Sequence, residues 1–174
     1  MDHTDHTNLL RNGVAASGGV WADFGAGTGA FTLALAELIG PLGEIYCIDQ
    51  DAHALHANER AIHADFPETS VHYRVADFAL PLTLPSLHGI VMANALHFEQ
   101  AQVEVVQLLR SYLRPAGRLV IVEYNIDRGN FAVPYPVPYR RGERLAQEAG
   151  FVHTELLATR PSRFLREIYS AASW

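Results

Sequence analysis

From residue 20 onward, short apolar runs alternate with segments of helical period, and nothing else in the chain constrains its fold as strongly. The alternation is that of βαβ units around a parallel sheet. Residues 20–24 read as a first strand, followed by a glycine loop and a helix from about Thr28 whose Phe31, Leu35 and Leu38 recur at i, i+4 and i+7 before Gly40-Pro41 ends it. A strand over 44–49, a helix over 51–64 with Leu55 and Ile62 on one face, and a strand over 71–75 continue the pattern. Residues 81–85 are too rich in proline for a helix and read as a loop. Residues 89–93 are uniformly apolar, as a strand covered on both faces must be. A helix over 99–113, with Val105, Leu109 and Tyr112 on one side, is stopped by Pro115 and Gly117 before a strand over 118–124. After a loop over 125–138 come a helix over 140–149, a Gly150 cap and two β runs, 151–159 and 164–170. The gap between those runs is too short for a crossover, so they pair as an antiparallel hairpin and the sheet is mixed at one edge.

The length of 174 residues suits one domain over 20–174, with residues 1–19 as an N-terminal extension contributing one short helix or nothing. All 13 basic residues are arginine, which removes Schiff-base chemistry and the phosphate-loop lysine, since both need an amine. A net charge of -6 offers no basic surface for a phosphate backbone, so nucleic acid is disfavoured as a partner, although a local arginine patch is compatible with it. The single Cys47, inside the run Ile45-Tyr46-Cys47-Ile48, excludes internal disulfides and four-cysteine metal sites and reads as a buried small hydrophobe. The start of the chain lacks the basic and apolar regions of a signal peptide, and the uncharged stretch 78–98 is broken by Pro81, Pro85 and Asn94, so a cytoplasmic protein without a membrane span is expected. His53, His56 and His63 share one predicted helix, but i to i+7 spans roughly 10 Å, too far for shared ligation, and no metal is expected.

The loop Asp23-Phe24-Gly25-Ala26-Gly27-Thr28-Gly29 follows a strand and opens a helix, the context in which glycines let backbone N–H groups approach a ligand beyond the strand ends. Gly25 to Ala30 also satisfies the loose dinucleotide pattern G-x-G-x-x-A, so a nicotinamide cofactor competes for the assignment. Asp23 separates the two: a desolvated carboxylate repels phosphates but suits a sulfonium and an amino group. Asp49, at the end of the second strand with Gln50 beside it, can accept hydrogen bonds from both ribose hydroxyls. Asp77 followed by Phe78 suits an adenine amine with an apolar contact on its ring, and Asn94 closes the fourth strand beside the same crevice.

In order and spacing, DFGAGTGAFT, CIDQD, VADF, MANALHF and LRPAGRLVIVEY resemble the motifs of class I S-adenosylmethionine-dependent methyltransferases, most nearly the small-molecule branch similar to ubiquinone- and menaquinone-biosynthesis enzymes. The resemblance runs from about Val20 to Trp174. It implies an α/β fold, a Rossmann-like three-layer sandwich with a mostly parallel seven-stranded sheet and an antiparallel C-terminal strand. It also implies S-adenosylmethionine as cofactor and S-adenosylhomocysteine as product. Asp23 and Gly25, Ala26, Gly27, Thr28 and Gly29 would then hold the methionine moiety, Asp49 the ribose, Asp77 and Phe78 the adenine, and Asn94, Ala95 and Leu96 the wall beside the sulfonium. Asn94-Ala95-Leu96 departs from the signature of amino methylation on nucleobases, and the lone Cys47 fails the multi-cysteine requirement of arsenic methyltransferases.

The expected activity is methylation of a small organic acceptor at O, C or N; a nicotinamide-dependent oxidoreductase and a cofactor-binding regulatory or scaffold domain without turnover are the competing readings. Methyl transfer from a sulfonium needs chiefly proximity and alignment, so an acid–base residue is optional. His97 is a candidate proton acceptor and equally a packing histidine; Tyr124, beside Glu123 at the end of the fifth strand, is a candidate for orienting an acceptor. Residues 131–139, with three prolines and aromatic side chains, form either one wall of an acceptor pocket or a cover over the sheet edge. Little chain is left for a lid, so the site should be open and completed by a partner subunit, a second copy, or the acceptor itself.

Overall fold

The computed structural model describes every residue except Ala15 and Arg163. Its elements run α1 (His3–Leu10), β1 (Gly19–Phe24), α2 (Ala30–Ile39), β2 (Gly43–Asp49), α3 (Ala52–Asp65), β3 (Ser70–Val75), β4 (Leu87–Ala93), a 3₁₀ turn (Leu96–Phe98), α4 (Gln102–Tyr112), β5 (Leu113–Tyr124), α5 (Tyr139–Glu148), β6 (Thr154–Ser162) and β7 (Arg166–Ser173). The strands form one sheet in the order β3-β2-β1-β4-β5-β7-β6. The pairs from β3 to β5 are parallel, and β7 runs antiparallel to both of its neighbours, β5 and β6. The mixed edge expected from the terminal hairpin is therefore present, and the strand order reverses between β1 and β4, where a crevice must open beyond the carboxyl ends.

Alternate residues of each central strand feed two separate cores. Ala22, Phe24, Ile90, Met92, Leu119 and Ile121 pack with α4 and α5 through Val105, Leu109 and Leu145. Trp21, Cys47, Val91, Ala93, Val120 and Val122 pack with α1, α2 and α3 through Leu9, Leu35 and Leu55. That period of two, met by helical stripes above and below, makes the three-layer sandwich. Fully buried side chains such as Leu35 and Leu109 each stabilise it by about 1.5–3 kcal/mol.

Three differences from the sequence reading have physical causes. The segment expected as an extension with one short helix or nothing carries a helix docked on the domain: Asp2 and Asp5 form a reciprocal capping box, Leu9 and Leu10 are completely buried, and His3 Nε2 lies 2.6 Å from Glu37 Oε2 on α2. The fifth strand starts at Leu113, not Arg118, because Pro115 and Gly117 mark a bulge within it: Leu113 pairs with Leu87 and Arg118 with Gly89, so Arg114 to Gly117 stand opposite His88 alone. The sixth strand starts at Thr154, with Phe151 ahead of it turned into the core. Residues 76–86 form no helix, as Pro81 and Pro85 require. Among the described residues no helix is long and apolar enough to cross a membrane, and no group of His, Cys, Asp and Glu stands close enough to hold a metal ion.

Candidate active site

Two cavities of about 220 Å³ each meet at Gly25 and Asn94, beyond the carboxyl ends of β1, β2 and β4. Asp23, Gly27 and Thr28 line the first, which Met1 and His6 of the amino-terminal segment close from above. Asp49, Gln50, Asp77, Phe78 and Ala95 line the second, joined by Phe98. The loop between β1 and α2 can pass between them because Gly25 and Gly27 adopt φ of 75° and 50°, where a side chain is strained. At Gly25 a Cβ would come within 2.5 Å of the Ala95 Cβ, whereas at Gly27 it would point into open space.

Asp23 is 1% exposed, and its carboxylate accepts a 2.6 Å hydrogen bond from the Thr32 hydroxyl of α2. The Thr32 oxygen in turn accepts from Asn58 Nδ2 of α3 at 2.8 Å and from the Cys47 thiol at 3.8 Å. Burial pushes the Asp23 pKa up to about 7, with the Thr32 hydrogen bond pulling the other way and the Asp49 charge adding to the rise. Burial, with Asp23 close by, likewise holds the Cys47 thiol well above its ordinary value, so it is an inert packing group.

Asp49 closes the loop as well as facing the second cavity: its Oδ2 accepts from the Gly27 N–H at 2.8 Å and its Oδ1 from the Asp51 N–H at 2.9 Å. One acceptor direction on each oxygen remains for a pair of hydroxyls. Asp77 Oδ1 accepts from the Ala79 N–H at 2.9 Å, leaving its second oxygen for an amine. Asn94, a non-glycine residue at φ 52°, ends β4 on the shared wall, and its buried Oδ1 has no partner among the described residues. Gly29 caps α2 and Leu96 is fully buried in the core; neither lines the two cavities.

His97 is the middle residue of the 3₁₀ turn, with 3% of its side chain exposed and its Nδ1 2.6 Å from Glu123 Oε2, and its backbone N–H donates to Glu123 Oε1. A carboxylate only accepts, so Nδ1 carries the proton and Nε2 is left as the basic nitrogen. The ring packs between Phe98, 4.3 Å away between centroids, and Tyr124, 6.3 Å away, and Tyr124 continues to Phe164 at 5.9 Å. Burial and the Glu123 carboxylate push the Tyr124 phenol up, so at neutral pH it is a hydrogen-bond donor and not a base. The proline-rich segment is a cover over this turn: Val133 and Val137 are buried, and Tyr135 N–H bonds the His97 carbonyl at 3.0 Å. Beyond Tyr124 a larger cavity of about 600 Å³ opens between the loop after β5 and the β6–β7 turn.

Met1, His6, Thr32, Asn58 and Phe98 carry no motif; only the packing of their helices brings them to the crevice. The residues present fit an adenosyl sulfonium cofactor. A buried carboxylate awaits a cation at one end, two acidic acceptors face the other, and an unpaired amide oxygen sits between.

Residues 22–119 match a family model described as a methyltransferase domain, a span that includes the glycine loop, all three strand-end aspartates and His97. A comparison with curated proteins gives no match. Among solved structures, the YcgJ protein of Bacillus subtilis superposes with a TM-score of 0.78 at 10% identity, over 98% of both chains. A SAM-dependent methyltransferase from Aquifex aeolicus superposes with a TM-score of 0.72 at 15% identity, over 99% of this chain and 98% of that one. CrArsM, an arsenic(III) S-adenosylmethionine methyltransferase from Chlamydomonas reinhardtii, gives a TM-score of 0.73 at 16% identity over 90% of this chain, which spans 63% of the algal chain. At these identities the likeness is one of fold, and the family match sets the nicotinamide alternative aside. The chain belongs to the methyltransferase-domain family, and its fold is that of class I, S-adenosylmethionine-dependent enzymes.

Proposed function

We propose that the chain transfers the methyl group of S-adenosylmethionine to a small organic acceptor at O, C or N. The observation that carries this reading is the pair of cavities joined at Gly25 and Asn94, with a buried carboxylate at one end and two strand-end aspartates at the other. When bound, the sulfonium supplies an activated methyl group with a good leaving group, so the protein's task is alignment. Asp23 and Gly25 to Thr28 would hold the methionine end, Asp49 with Gln50 the ribose, and Asp77 and Phe78 the adenine. Asn94 and Ala95 would bound the reacting centre.

The acceptor is best accommodated in the cavity beyond Tyr124, its apolar body along Phe164 and Leu165 and its polar groups toward Asn125 and Asn130. Tyr124, packed against Phe164 at the cavity's edge, would orient it. His97, oriented by Glu123, would take a proton at Nε2 where the acceptor atom carries one. Phe98, Phe131 and Phe164 are all exposed along this edge, and a second copy of the chain or the acceptor itself would cover them.

The test is formation of S-adenosylhomocysteine from S-adenosylmethionine across a panel of hydroxy-, amino- and carbon-acid acceptors, preceded by calorimetry. Asp49→Ala should weaken the cofactor by about 1–3 kcal/mol through lost charged hydrogen bonds, and Gly27→Val should abolish binding by filling the open space at the loop. Unchanged affinity in both variants would remove the loop from the site. Cofactor binding with no turnover on any acceptor would favour a regulatory or scaffold role.

A further inference from the structure

At the opposite edge of the sheet, where β1, β4 and β5 begin, a cavity of about 320 Å³ is lined by Gly18, Gly19, His88, Arg114 and Arg118, with Ser17 at its rim. It is separated from the crevice by the length of β1, roughly 17 Å for its six residues. Among the described residues no carboxylate side chain lines it. Among the described residues neither the Arg114 nor the Arg118 guanidinium makes an ion pair or a hydrogen bond. Among the described residues the contact that fixes a guanidinium here is a cation–π one: Arg118 lies over the Trp174 ring, 4.7 Å from its centroid, a stacking that leaves its N–H edge free. His88 Nδ1 accepts from the Val20 N–H at 3.0 Å, so its proton is on Nε2 and that nitrogen is a donor.

These groups converge because of the bulge in β5. Four residues, Arg114 to Gly117, are looped out opposite the single His88, which brackets that histidine between the two arginines. Ala116, at the crest and on the cavity wall, holds φ at 62°, a left-handed conformation strained for a residue with a Cβ. Arg114 stands close enough to depress the His88 pKa, an effect secondary to burial. In a chain of net charge -6, two guanidinium groups without side-chain partners and a fixed N–H donor around one cavity form a local exception.

We propose that this cavity is a binding site for a phosphoryl group, held by forked contacts from Arg114 and Arg118 and by His88 Nε2–H. The volume exceeds that of the bare ion, so the group arrives either as free phosphate or on a small organic body. The site does not depend on the methyl-transfer reading, since it shares no residue with the crevice.

The test is calorimetric titration of the full chain with inorganic phosphate and, in parallel, with glycerol phosphate, at constant ionic strength set with sodium chloride. Saturable binding of one equivalent is expected, unchanged by saturating S-adenosylmethionine. Arg114→Gln should weaken it at least tenfold, and Arg114→Gln with Arg118→Gln should abolish it. A control that removes two arginines elsewhere, Arg60→Gln with Arg144→Gln, has the same net charge and should bind as the parent does. Melting curves without phosphate verify that each variant is folded, and the exposed Arg114 alone suffices if the pair is not. Tighter binding of glycerol phosphate identifies a phosphorylated small molecule as occupant; equal binding identifies the free ion. Undiminished binding in Arg114→Gln, equal loss in the charge control, or no binding beyond that of chloride overturns the proposal.

Discussion

A carboxylate as deeply buried as Asp23 ionises only against the cost of leaving water, and with a pKa of about 7 it is largely protonated at pH 6 and largely charged at pH 8. Unfolded, the same group ionises near 3.8, so between those values the native state holds a proton that the unfolded state has lost, and stability falls as pH rises through the interval. A cationic ligand reverses the preference, because it needs the charged form. S-adenosylmethionine affinity should therefore climb by up to about tenfold per pH unit below 7 and level off above 8. Asp23→Asn should weaken binding and flatten the profile. Thr32→Val removes the hydrogen bond that favours the charged form, so the inflection should move to higher pH. Calorimetry from pH 5.5 to 8.5 reads all three, and a flat profile in the parent protein would refute the assignment. The aspartates were legible in the sequence because each ends an apolar run. Thr32 and Asn58 were not: they sit within helices, 26 residues apart, and only the docking of α2 beside α3 makes them partners under Asp23.

At the scale of elements, the strands announce themselves by uninterrupted apolar runs such as residues 89–93, and α4 by the spacing of Val105 and Leu109. What escapes such reading is anything decided by a distant partner. Pro115 and Gly117 look like a stop between helix and strand, yet pairing with Leu87 and Gly89 carries the strand through them as a bulge. The first helix has too few apolar residues to promise burial, but Leu9 and Leu10 find a hole between α2 and the last two strands. Leu9→Ala should accordingly destabilise the protein by about 2–5 kcal/mol, as a fully enclosed leucine does, which urea unfolding would register. A cost under about 0.5 kcal/mol, the range of surface changes, would mean that the helix is detached in solution.

For the molecule as a whole, a ligand that binds only the folded chain raises stability by an amount set by its concentration relative to its dissociation constant. S-adenosylmethionine or S-adenosylhomocysteine at about 100 times its dissociation constant should contribute roughly 2.7 kcal/mol, and a nicotinamide dinucleotide nothing. For a chain of 174 residues that corresponds to a rise of about 5–10 °C in Tm. An equal rise with the dinucleotide would contradict the cofactor reading. The sheet order also dictates when such a molecule can be completed. β6 touches the sheet only through β7, which enters between it and β5, and α1 rests partly on those two strands. β6 precedes β7, the strand that joins it to the sheet, and Leu9 and Leu10, covered on one side by α2, gain the rest of their cover only when β6 and β7 have paired. Assembly of this half of the protein therefore waits on pairings between segments far apart in sequence, the kind of contact that slows folding.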